Sequence, residues 1–158
     1  MKRLPSCLCL LAGALILVSG AQAGGPKDDH GCKKINATGV GQDLGNGTTT
    51  ATISHGGPLD GTTSGHFVVS GGPTVFTIVG TVVFTTKHGG LTANVAGTLN
   101  VATGAFTASG PVSAGTGHLA GATGTLTFDG VENLATMVFT ETITGTICRA
   151  HGDEEDDD

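Results

Sequence analysis

From Leu91 to Val101 apolar and polar positions alternate: Leu91, Ala93, Val95, Gly97, Leu99 and Val101 share one side, and Thr92, Asn94, Ala96, Thr98 and Asn100 the other. Successive side chains of an extended strand point to opposite faces, so this segment reads as an antiparallel strand with one dry face. The stretch before it has the same period, with Phe76, Ile78, Gly80, Val82 and Phe84 facing one way and Val75, Thr77, Val79, Thr81, Val83 and Thr85 the other. Gly80, in the middle of that strand, predicts a bend or bulge. A third long run, Leu134 to Ile147, sets Ala135, Met137, Phe139, Glu141, Ile143, Gly145 and Ile147 against a row dominated by threonine. Shorter extended runs are expected at Lys33 to Thr38, Thr48 to His55, His66 to Ser70, Ala105 to Val112 and Thr123 to Asp129. Helical spacing is nearly absent.

The joints between these runs carry turn chemistry: Gly45-Asn46-Gly47, Gly56-Gly57-Pro58, Gly71-Gly72-Pro73, His88-Gly89-Gly90, Thr103-Gly104 and Asp129-Gly130. Glycine and asparagine reach the positive φ values that tight hairpins need, and proline presets the others. Short connections make sequential strands neighbours. A meander of about eight strands has two open edges, and closure into a barrel removes both. The expected fold is therefore an all-β, eight-stranded antiparallel barrel. A sandwich is the next alternative and a parallel β-helix the third.

The first residues change what has to fold. Lys2 and Arg3, the uncharged apolar run Leu8 to Val18, and Ala21-Gln22-Ala23 form the three parts of a secretory leader, 1–23. That run is roughly half of the about 20 residues a bilayer-spanning helix requires, so cleavage is expected and no membrane span remains in the mature form. The predicted layout continues with a flexible segment 24–31, a barrel 32–148 and an acidic disordered tail 149–158. Without Lys2 and Arg3 the seven Lys and Arg become five against thirteen Asp and Glu, a formal charge of −8. Nucleic acid is excluded as a partner, because phosphate binding needs clustered cations. Cys7 and Cys9 leave with the leader, and the remaining pair, Cys32 and Cys148, flanks the strands. In an oxidising compartment that placement reads as a disulfide across the ends of the domain. Chain-entropy reasoning gives it about 4 to 5 kcal/mol as an upper figure.

The segment Gly115-Thr116-Gly117-His118-Leu119-Ala120-Gly121-Ala122-Thr123-Gly124-Thr125-Leu126 resembles the G-T-G-x-F-x-G-A-x-G-x-L signature of the allene oxide cyclase-like and dirigent-like barrel superfamily, with Leu119 in place of the usual aromatic. The order of strands and turns is similar from about Ile35 to Ile147. The resemblance implies an eight-stranded barrel with a partly apolar interior, a possible homo-oligomer, and kinship with uncharacterised secreted bacterial members. It supplies no active site. Dirigent sites rely on Arg, Asp and Tyr, whereas this chain has no Tyr and no Trp, and its only Arg after the leader is Arg149.

Candidate chemistry is sparse. If the face shared with Phe139 and Ile143 points inward, Glu141 lies in the lumen, where an isolated carboxylate is costly and holds its proton more tightly. A bulge that turns it outward, or a place near a wet barrel mouth, is the reading preferred to a functional one. Glu141, Phe76, Phe84, Phe139 and Met137 form the expected ligand-binding set, and no catalytic residue is assigned. His55 and His66 flank one connection and, with Asp60, make a weak metal set that is more simply read as solvated loop residues; no cofactor is expected. No phosphate loop, nucleophile elbow or HExxH pattern occurs. Two functions remain: a secreted non-enzymatic barrel that binds a small apolar ligand or is structural, and a cyclase or isomerase with Glu141 as acid/base.

Overall fold

The computed structural model describes residues 31–149. The expected leader 1–23 lies outside the described residues, as do the expected flexible segment 24–31 apart from Gly31 and the expected acidic tail 149–158 apart from Arg149. Eight strands follow one another: β1 (Cys32–Gly45), β2 (Thr48–Ser54), β3 (Gly61–Gly71), β4 (Val75–Thr86), β5 (Gly89–Asn100), β6 (Ala105–Gly115), β7 (Thr123–Asn133) and β8 (Val138–Cys148). Each pairs antiparallel with the next, and β8 returns to β1, so the sheet is a closed barrel. Closure leaves no unpaired edge in the ring.

The expected alternation holds. Leu91, Ala93 and Val95 of β5, Val82 and Phe84 of β4, and Phe139, Ile143 and Ile147 of β8 meet in one buried core with Ile35, Ile53, Leu126 and Phe128. The opposite faces carry threonine, asparagine and scattered valines such as Val68 and Val79. Among the described residues no helix is long and apolar enough to cross a membrane.

One end is stoppered. The β2–β3 and β6–β7 connections each fold a single 3-10 turn, Gly57–Leu59 and Gly117–Leu119, and drop a leucine into the barrel. Leu59 and Leu119 are both fully buried. Pro58 presets the first turn, and Asp60 Oδ1 accepts the Gly56 N–H at 2.7 Å to hold it. The second turn is strapped to the β4–β5 hairpin: the His118 N–H donates to the His88 carbonyl at 2.8 Å, and the Gly90 N–H to Thr116 Oγ1 at 2.9 Å. The four two- to four-residue joints at the other end carry no such stopper.

Two expectations are corrected. The last strand begins at Val138, because Asn133 ends the ladder before it: its Oδ1 accepts the Ala135 N–H at 3.0 Å and its carbonyl accepts the Met137 N–H at 2.7 Å. This local capture outcompetes strand pairing, and Met137 sits in the resulting turn with φ +60°. Gly80 is not a bulge, since pairing runs unbroken through Phe67–Gly80 and Gly80–Val95. It lets the β3 backbone and a ring come close: a Cβ there would run into the His66 carbonyl oxygen and lie 2.7 Å from Phe67 Cδ1. The register shifts fall instead at Asp43/Gly45 and Thr92/Ala93.

A disulfide joins Cys32 to Cys148 across 116 residues, at the end of the β1–β8 seam. The loop it closes spans nearly the whole domain, so its loss enlarges the unfolded ensemble more than it alters the folded state. The double variant Cys32→Ser/Cys148→Ser should keep the strand circular-dichroism signal while its thermal midpoint falls by more than about 10 °C.

Candidate functional site

The lumen ends in a cavity of about 110 Å³ lined by Phe67, Ile78, Val95, Leu99, Phe106, Ala108, Phe128 and Phe139, with Asp43, Glu132 and Glu141 as its charged groups. Leu59 and Leu119 close the end away from it, and its rim is formed by the end of β1 and the β1–β2 joint, through Asp43 and Gly47. Of the residues expected from sequence, Phe139 and Glu141 line this space. Phe84 is fully buried in the core on the stoppered side, against Phe128 with ring centroids 6.2 Å apart. Phe76 faces inward on β4 but is not part of the cavity wall, and Met137 is displaced from it by the turn before β8.

Glu141 occupies a prepared seat. Its neighbours across the sheet are Gly39 on β1 and Gly130 on β7. A Cβ at Gly39 would stand 2.7 Å from Glu141 Cγ, so the carboxylate arm lies over the space a larger residue there would claim. With apolar walls around it, burial pushes the Glu141 carboxyl from an ordinary 4.5 up to about 7. Glycines serve the aromatic wall in the same way: Phe106 lies over Gly130, within 2.8 Å of where its Cβ would be, and Phe139 over Gly41. Phe106 and Phe139 then meet edge to face at 5.8 Å.

The sequence reading missed two acids. Glu132 is 8% exposed, and its Oε1 is buried without a hydrogen-bond partner among the described residues. Burial raises its pKa, and the charge of Asp43 raises it further. Asp43 is fixed by the β1 bulge, where its Oδ1 accepts the Gly45 N–H at 2.7 Å. Both were legible in principle, since Leu126, Phe128, Gly130 and Glu132 continue one inward row and Ile35, Ala37, Gly39, Gly41 and Asp43 another. Ending the predicted strands at Thr38 and Asp129 hid them.

The histidines do not converge. His55 follows β2 at the stoppered end, where Nδ1 lies 3.2 Å from Thr38 Oγ1, while His66 faces outward on β3, paired with Thr48 toward the open end. Among the described residues no grouping of three His, Cys, Asp or Glu side chains is arranged to hold a metal ion.

The Glu141 carboxyl links stability to pH. Below about 4.5 both folded and unfolded chains carry the proton; between about 4.5 and 7 the unfolded chain releases it first, so stability falls as pH rises; above 7 both are ionised and the loss is constant. Glu132, shifted the same way, adds to this slope. Urea midpoints should therefore decline across that window by the equivalent of about 3 kcal/mol or less from Glu141, and Glu141→Gln should flatten the limb nearest neutrality. Compared with protein-family models, with curated proteins and with solved structures, the chain finds no match.

Proposed function

We propose that this is a secreted, non-enzymatic barrel that binds a small apolar ligand in its one-ended lumen. The observation that carries the reading is the cavity itself: its wall is built from phenylalanine and aliphatic side chains, it opens at one end only, and it is already formed without a ligand. A domain that only needed stability would fill such a space, because apolar voids forfeit packing. The leader, the disulfide and the resemblance of Gly115–Leu126 to the allene oxide cyclase-like and dirigent-like barrels all support a secreted barrel of this type.

One observation favours a second reading, a cyclase or isomerase. A carboxyl poised near pH 7 inside an apolar cavity suits proton transfer to or from a bound substrate. The missing element is a partner group, since among the described residues no second acid/base or electrophile is hydrogen-bonded to Glu141.

Two measurements separate these. The uncharged dye N-phenyl-1-naphthylamine should brighten on binding the wild-type protein, and Val95→Phe, which fills the cavity wall, should weaken that binding at least about tenfold at unchanged thermal stability within roughly 2 kcal/mol. No brightening with the folded wild type would remove the ligand-binding reading. For the enzymatic alternative, any turnover found should fall by about two orders of magnitude or more in Glu141→Gln, and unchanged turnover would exclude Glu141 as its acid/base.

A further inference from the structure

We infer that the ligand of this cavity is an amphipathic organic cation, a compact apolar body ending in one protonated amine, with the amine held at the open end by Glu132 and Asp43. The inference deepens the apolar-ligand reading and rests on it.

Three features of the site point the same way. Glu132 is buried by more than nine-tenths, lines the cavity and leaves Oε1 with no donor, although buried acceptors are otherwise almost always satisfied. The vacant acceptor is matched by a group that brings N–H donors with it. Second, every ionisable side chain on the wall is acidic: Asp43 and Glu132 toward the mouth and Glu141 further along β8, with no Lys, Arg or His among the lining residues. Like charges in one low-dielectric space repel, as the effect of Asp43 on Glu132 shows, and a cation between them relieves that repulsion. Third, the fold separates its charges. Lys33 and Lys34 open β1, Lys87 lies in the β4–β5 turn and Arg149 follows β8, so among the described residues every Lys and Arg sits at the stoppered end. No described Lys or Arg therefore stands at the open mouth to pair with Asp43 or Glu132 in place of a ligand cation.

The apolar lining specifies the rest of the molecule. Phe67, Phe106 and Phe139 present ring surface, which suits a hydrocarbon body and, near the amine, its charge. A bare metal ion does not fit, because the acids form no metal-holding group among the described residues and the remaining wall offers no oxygen cage.

The test uses the folded secreted protein and three probes with one carbon skeleton: hexylammonium, 1-hexanol and hexanoate, each titrated calorimetrically at about pH 8, where the amine remains protonated. Hexylammonium should bind at least about tenfold more tightly than 1-hexanol, the scale of one charge-assisted hydrogen bond, and hexanoate more weakly than either. Glu132→Gln should reduce the ammonium-over-alcohol ratio below about threefold, and Asp43→Asn, which keeps an acceptor for the Gly45 N–H, should reduce it in part. Equal binding of all three probes, a preference for hexanol or hexanoate, or binding of none would overturn the inference. Equal binding leaves the apolar-ligand reading standing, whereas failure of N-phenyl-1-naphthylamine to bind removes that reading on its own.

Discussion

Large inward side chains in this barrel lie over glycines of the neighbouring strands, and the cavity depends on that arrangement. Phe67 rests on Gly65 and Gly80, Phe106 on Gly130, Phe139 on Gly41, and the arm of Glu141 on Gly39. A Cβ at those positions would run into the overlying side chain and, at Gly41, Gly80 and Gly130, into the neighbouring strand's carbonyl oxygen as well. Because glycine has none, the rings lie along the wall and leave the axis open. Glycine within a strand costs about 0.5 to 1 kcal/mol relative to alanine, so the barrel carries a sizeable conformational penalty for its open interior. The disulfide at the β1–β8 seam acts in the opposite direction, by restricting the unfolded chain.

The two ends of the barrel divide the work. At one end two 3-10 turns insert Leu59 and Leu119 and exclude water from the core. At the other, short joints leave a mouth, and the acids Asp43 and Glu132 stand near it. A carboxylate in an apolar space destabilises the fold when ionised, as burial does for Glu132 and Glu141, and the charge of Asp43 adds to the effect on Glu132. The electrostatics of the lumen therefore act on stability through pH, and under the proposed function they also face the bound ligand.

Strand identity, the closed meander and the pairing of Cys32 with Cys148 were all readable from the chain. A period of two, interrupted by glycine-rich turns, leaves little else for so few helix formers to do. Lumen orientation was legible wherever the alternation was strict, as in Leu91 to Val95 and Phe139 to Ile147, whereas Glu141 stayed open between lumen and bulge until the unbroken β8 pairing set it on the cavity wall.

What the chain alone could not fix were the places where a local hydrogen bond or a cross-strand neighbour decides. The Asn133 side chain and carbonyl close a turn that stops β8 short of Met137, and alternation has no term for that competition. Gly80 reads as a break until Phe67 is placed beside it. The acids at the mouth emerge only when register sets β1, β7 and β8 side by side, since a carboxylate's environment is built by residues far away in sequence. Periodicity determines which way a side chain points; only the closed barrel determines what it meets there.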